Sequence, residues 1–257
     1  MRLTIIIILL SVSLANAQTV DRFAGEELEY SLEWHLPLPW FSWIGGQAGR
    51  VTMSCQADVM GYQLSFAGQT VNWAAKVYPF DNKASVYIDN LGFVKSIKHC
   101  FTDETRNIWQ LSDSGLVNYQ RLDRHNSLIS SDSFRMTRLL DALSAIYYLR
   151  SCSFSVGDSI KLDIVGYDER KSINVIRPAI VYILKQAVYS WQGQDQLCWV
   201  GRIQIAPEVN IFPGSEIELW ATVQDRTPVF VKTNIVVKGF IPSTVEGRLK
   251  QYQKSDH

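Results

Sequence analysis

The sequence has no net charge: its 25 lysines and arginines are matched by 25 aspartates and glutamates. Nucleic-acid binding leans on a cationic face, and so does a polybasic membrane patch, so the balance argues against both. Catalytic signatures are missing as well. There is no GxSxG elbow, no HExxH and no glycine-rich phosphate loop. Cysteine is sparse, and Cys55, Cys100, Cys152 and Cys198 include no CxxC or other metal-ligand spacing. The four histidines are His35, His99, His125 and His257. His99, Cys100 and Asp103 stand close together, but neighbours on a strand alternate faces, so no metal and no cofactor is expected. Glu26 and Glu27 read as a solvated acidic strand start, not as paired acid–base groups.

Apolar runs long enough to cross a bilayer, about 20 residues, are absent too. The N-terminal run, Leu3 to Leu14, is shorter and is broken by Thr4, Ser11 and Ser13. Arg2 precedes it and Ala15-Asn16-Ala17 closes it, which is the pattern of a secretory signal peptide over residues 1–17. The expectation is an exported, periplasmic protein whose mature chain, 18–257, forms one domain. No cysteine stands directly after the cleavage site, the first being Cys55, which argues against a lipoprotein. Four cysteines in an exported chain suit disulfides, with three pairings open; four free thiols are the alternative.

What is present is alternation. Leu28, Tyr30, Leu32, Trp34 and Leu36 alternate with Glu27, Glu29, Ser31, Glu33 and His35, a period of two that buries one face and wets the other. That pattern belongs to antiparallel sheets. Pro37 and Pro39 end the strand, and Trp40-Phe41-Ser42-Trp43-Ile44 follows. This apolar connection either folds over an open end of the core or forms a hydrophobic rim. Further strands are expected over 50–58, 63–67, 84–88, 93–102, 106–111 and 118–126. After residue 150 they are expected over 159–165, 171–176, 197–205, 216–223 and 229–238. Turn residues such as Met60-Gly61, Asn90-Leu91-Gly92 and Asp113-Ser114-Gly115 separate them. Residues 179–191 tolerate either state, and their β-branched and aromatic content favours strand. Asp225-Arg226-Thr227-Pro228 reads as a hairpin turn, and the polar tail from Gln251 reads as frayed. Short strands about ten residues apart suggest a sandwich or barrel.

One stretch breaks the pattern. Met136 to Arg150 reads as a helix whose apolar residues Leu139, Leu140, Leu143, Ile146, Tyr147, Tyr148 and Leu149 wrap most of the cylinder, so it must be buried. Alone, such a helix is marginal in water. Burying seven large side chains at roughly 1.5–3 kcal/mol each outweighs any end effect, so the helix requires a concave apolar surface. Asp141 would need a partner in that setting, and Arg138 is the candidate. The fold expected is mainly β: a single antiparallel domain, a strongly curved sheet or partly open barrel, wrapped around one buried helix over about 139–150.

Several of these stretches together resemble DUF3108, a family of bacterial exported proteins of unknown function. The similar stretches are Phe23-Ala-Gly-Glu26-Glu-Leu28-Glu-Tyr30, Gly45-Gly-Gln-Ala-Gly49, Asp141-Ala-Leu-Ser144-Ala-Ile-Tyr147-Tyr-Leu-Arg150-Ser and Cys198. They continue with Phe212-Pro-Gly214, Trp220-Ala-Thr-Val-Gln-Asp225-Arg-Thr-Pro228-Val229 and Lys238-Gly239. The resemblance implies an antiparallel β-architecture curved around a helix. It invites comparison with periplasmic lipoprotein carriers, whose unclosed barrel shields acyl chains, although a fold does not fix a function. Pro242 departs from the family pattern, in which a regular strand follows the last glycine, and this puts the closing strand in question.

Three functional readings follow. The first is a module binding or carrying a hydrophobic small molecule between sheet and helix, with Trp34, Trp40, Trp43 and Tyr147 near it. The second is a non-enzymatic cell-envelope assembly protein that docks a protein partner. The third is an enzyme with an unrecognised site. An outer-membrane barrel is disfavoured by the buried helix and by the Asp-His C-terminus.

Overall fold

The computed structural model describes residues 20–35, 46–168, 173–205, 216–237 and 241–255; for residues 77, 235–237, 241 and 242 it describes the backbone alone. The expected alternation is realised in two antiparallel meanders. The first comprises β1 (Glu26–His35), β2 (Gln47–Asp58), β3 (Gly61–Thr70), β4 (Asp81–Asp89), β5 (Val94–Cys100), β6 (Arg106–Leu111), β7 (Leu116–Leu122) and β8 (Leu128–Arg135). The second comprises β9 (Ser159–Asp168), β10 (Ile173–Trp191), β11 (Gln194–Ile205), β12 (Glu216–Thr222), β13 (Pro228–Val237) and β14 (Ile241–Lys254). Two helices interrupt them, α1 (Asn72–Val77) and α2 (Ala142–Ser151). No described helix is long and apolar enough to cross a membrane.

The meanders fuse into one 14-stranded sheet in the order β8-β7-β6-β5-β4-β3-β2-β1-β14-β13-β12-β11-β10-β9. The joint lies at its centre, where β1 pairs with β14 from Glu26↔Lys254 to His35↔Thr244. The outermost strands, β8 and β9, are therefore consecutive in sequence, and α2 is the connection between them. The sheet curls so that α2 occupies its concavity. Leu143, Ala145, Tyr147 and Leu149 pack in one core with Leu28 and Leu64 of the first meander and Val181 and Val229 of the second. Side chains also reach across the concavity. Trp109 Nε1 donates to Asn174 Oδ1 at 2.8 Å, and Tyr119 stacks on Tyr167 with ring centroids 6.3 Å apart. Among the described residues no ladder joins β8 to β9. The architecture is an open, curved antiparallel sheet around a helix, as the sequence led one to expect.

Several local expectations are corrected. The helix begins at Ala142, not near Met136, because Asp141 caps it. Asp141 is extended, its Oδ1 accepts from the Ser144 amide at 2.8 Å, and Ser144 Oγ accepts from the Asp141 amide at 2.9 Å. Leu139 and Leu140 are buried without being helical, so the apolar run recorded burial and only part of it was helix. Strand β8 was not anticipated, because as an outer strand it is exposed over most of its length and shows no alternation. The six-residue α1 was not anticipated either. Gln251 to Lys254 are not frayed: they pair with Glu29 to Glu26 at the centre of the sheet. Pro242 does not abolish the closing strand. It pairs with Val236 of β13 and lies beyond the last described β1 partner, Thr244, where β14 needs no second ladder donor. Residues 179–191 are strand within the 19-residue β10.

All four cysteines are free. Burial pushes the Cys55 thiol up to about 12 and the Cys198 thiol up to about 11, so both are protonated, packed side chains at neutral pH.

Candidate functional site

Helix α2 does not seat evenly on the sheet. On the β9 side of Tyr148 an opening of about 380 Å³ has a mixed lining that includes Arg138, Lys161 and Asp163; elsewhere the fit is close, leaving one space of about 40 Å³ beside Tyr147 and Tyr148 and another of about 40 Å³ beside Leu149 and Phe154. Either holds little more than a water. The N-terminal half of α2 and strands β3, β4 and β5 border a cleft of about 220 Å³. Met53, Phe66, Phe80, Phe101, Leu143 and Ile146 make its walls apolar. Gly68 explains how two of those rings come together. A Cβ there would lie 2.8 Å from the Phe66 ring and 3.0 Å from the Phe80 ring, so only glycine lets both close over that position without displacement.

Asn82 and Lys83 also border the cleft, and one part-buried polar pair belongs to it. His99, at the end of β5, and Asp141, the cap of α2, both border it, and His99 Nε2 lies 2.8 Å from Asp141 Oδ2. Asp141 is 1% exposed. Burial works to raise its pKa, but the hydrogen bond and charge of His99, together with the Ser144 amide and hydroxyl, hold it below the usual carboxylate value. An ionised carboxylate only accepts, so the proton in the pair sits on His99 Nε2. The imidazole is further fixed edge-on against Trp109 and Phe101, with centroids at 5.1 and 6.2 Å. Arg138, the sequence's candidate partner for Asp141, instead lies 4.3 Å above the Tyr148 ring.

The other end of α2 carries a second buried charge pair. Arg150 Nη1 and Nη2 donate to Glu26 Oε1 and Oε2 at 2.5 and 2.7 Å, and Nη2 also donates to Thr227 Oγ1 at 3.2 Å. Tyr147 adds a hydroxyl donor to Glu26 at 3.3 Å. The expectation that Glu26 is solvated is therefore overturned: it is 2% exposed. The Asp225–Pro228 turn is a turn, as read, and also part of this network, since Thr227 Oγ1 donates to Asp225 Oδ2 at 2.8 Å. Arg226 and Arg22 both donate to the Arg150 carbonyl. With both carboxylate oxygens of Glu26 engaged, this end works as a clamp.

The residues singled out from sequence do not converge. Trp40 and Trp43 lie outside the described residues. Trp34 stacks on Trp73 of α1 at 5.0 Å in a small separate cluster with Ala48 and Ala74. Tyr147 is in the main core, edge-on to Phe23 at 5.5 Å. Neither borders the cleft. The residues that do border it, His99 and Phe66 among them, stood on unremarkable strands, and no spacing in the sequence marks them as neighbours. On the outer face of β1 and β14, Glu33, His35 and Glu246 bring ligand atoms within 4.8 Å. Lys232 at 3.2 Å and Arg248 at 2.6 Å already neutralise Glu246, so this group makes a poor metal site.

Comparison with known proteins places the chain in a family. The family described as protein of unknown function (DUF3108) matches residues 29–242. No curated protein matches the chain. Among solved structures, the β-barrel-like protein of DUF1849 from Brucella abortus aligns with TM-score 0.59 at 13% identity, over 91% of this chain and 99% of that one. That similarity supports the curved, barrel-like fold. A protein from Bacteroides fragilis described as exported, with a YmcC-like fold, aligns with TM-score 0.36 at 7% identity, over 90% of this chain and 96% of that one. A LolA superfamily protein from Nitrosomonas europaea aligns with TM-score 0.21 at 8% identity, over 95% and 94%. Alignments as loose as the last two carry no argument.

Proposed function

The chain belongs to the DUF3108 family, described as proteins of unknown function, and we propose that it is a binding module that takes a small apolar group into the cleft between α2 and strands β3 to β5. The observation that carries this reading is the mismatch along α2. The other spaces beside the helix are of water size or have a mixed, charged lining, yet here a space of about 220 Å³ with largely apolar walls remains. An apolar cavity of about 150 Å³ is enough to bind benzene, whereas drug-sized ligands occupy about 300–1,000 Å³. The cleft therefore suits one ring or a short alkyl segment. The cleft has no room for a whole acyl chain, so the carrier idea narrows to capture of a terminal group. The leader-like pattern of residues 2–17 supports a place of action in the periplasm.

The test is titration with p-xylene, followed by the methyl resonance of Met53. The expected result is saturable binding that Ala84→Phe, which fills the cleft from the sheet, abolishes with the far-UV spectrum unchanged. Ile146→Trp fills it from the helix side if the first variant folds poorly. No binding to the unaltered protein, or binding indifferent to both variants, would overturn the reading.

A second reading, docking of an envelope protein, draws on the β2–β3 turn, where Val59 and Met60 are 94% and 70% exposed. An apolar tip of that kind suits a protein surface. The cleft is the better supported of the two, because its shape and lining both bear on what would occupy it.

A further inference from the structure

We infer that the apolar ligand of this cleft carries a hydroxyl group, held by Nδ1 of His99. This rests on the reading of the cleft as a binding site and goes further, by naming the chemical class of its occupant. Nε2 of His99 is committed to Asp141. Nδ1 has no hydrogen-bond partner among the described residues, nor is it one of the polar atoms sealed away without one. It is therefore an accessible polar atom on a ring that borders a largely apolar cleft, and the His99 side chain is 22% exposed.

The ring is also held in place. Asp141 fixes it through Nε2, and Asp141 is itself fixed by the Ser144 amide and hydroxyl at 2.8 and 2.6 Å. Phe101 and Trp109 restrict its tilt. A second hydrogen-bonded partner that orients an imidazole is the arrangement by which proteins preset the other ring nitrogen. The hydroxyl follows from the chemistry of that nitrogen. Nδ1 accepts when the imidazole is neutral and donates when it is protonated, and a hydroxyl can answer either state. A carboxylate can answer only one of them. A purely apolar ligand would leave Nδ1 stripped of water and unpaired, which is unfavourable.

The experiment compares p-cresol, p-xylene and p-toluate, which share a ring and a methyl group and differ in one substituent. Each is titrated into the intact protein and into His99→Gln. That variant keeps an amide donor for Asp141 and removes the Nδ1 position. The ratio of p-cresol to p-xylene affinity is expected to fall at least about fivefold in the variant, the scale of leaving one buried hydroxyl unpaired. The ratio is the readout, because removing Nδ1 also relieves p-xylene of the unpaired nitrogen. In the unaltered protein the His99 Nδ1 nitrogen resonance should take a hydrogen-bonded position with p-cresol and move toward that of an unpaired nitrogen with p-xylene, a readout that does not depend on the variant folding. If p-xylene binds but the ratio is the same in both proteins and Nδ1 does not distinguish p-cresol from p-xylene, the hydroxyl inference is wrong and the cleft reading stands. Tightest binding of p-toluate also overturns it. If no probe binds, the cleft reading itself has failed.

Discussion

Glu26 and Arg150 are 124 positions apart in the chain, and both are almost fully buried. Desolvating two charges costs several kcal/mol each, and mutual attraction offsets this only when the remaining lone pairs and protons are used. Here Glu26 takes both Arg150 nitrogens and the Tyr147 hydroxyl, while Arg150 lies 4.2 Å over the Phe23 ring. Removing one partner leaves the other charge uncompensated. Glu26→Ala or Arg150→Ala is expected to destabilise the protein by about 3–5 kcal/mol, whereas the apolar double variant Glu26→Leu/Arg150→Met should lose far less than the sum. Urea unfolding of the four proteins gives the coupling; single losses under about 1 kcal/mol would show that the pair is not a clamp. The sequence offered little hint of this pair. Glu26 sits beside a truly exposed Glu27, and only the arrival of α2 on β1 distinguishes them.

At the level of the element, α2 is held at both ends by groups of the right sign. Its N-terminus meets an ionised Asp141, and its last carbonyls meet the guanidinium groups of Arg22 and Arg226. The Asp141 pKa is held down in the folded chain, so its contribution is fully present above the unfolded value of about 3.9 and is lost as pH falls through the lower folded value. Stability should therefore drop on acidification below about pH 4. Asp141→Asn retains a capping side chain but not the charge. It is expected to be less stable by about 1–3 kcal/mol near neutral pH, and its stability should fall less steeply in acid. Chemical unfolding at several pH values measures both, and a parallel pH profile in the variant would refute the assignment. The helix was readable from its apolar density, but its start was not. The apolar run continues through Leu139 and Leu140 because they too are buried, and burial leaves the same signature whether or not the backbone is helical.

For the whole molecule, the order of strands sets a gradient of protection. The central strands β1 and β14 have neighbours on both sides, whereas β8 pairs with β7 alone among the described residues and carries Leu128 and Ile129 at 58% and 54% exposure. Hydrogen exchange is expected to be fastest in Leu128–Arg135 and slowest in Glu26–Trp34 and their β14 partners. Equal protection at the two places would mean that the seam between β8 and β9 is covered by something more than α2 and its approach.

What the sequence determined by itself is the class of structure: alternation of period two can bury only one face of a sheet, and a helix apolar nearly all round can exist only inside a concavity. Those are local patterns with a single physical outcome. What tertiary structure decided is everything that depends on which strand lies next to which. The pairing of β1 with β14 made the polar tail a central strand. The curl of the sheet brought His99 to the cap of α2 and left Trp34 in a separate cluster from Tyr147. The cleft lies between the start of α2 and strands β3, β4 and β5, and its walls come from strands and a helix that no spacing in the chain connects. Proximity of that kind is set by packing and long-range register, so it became visible only in the folded molecule.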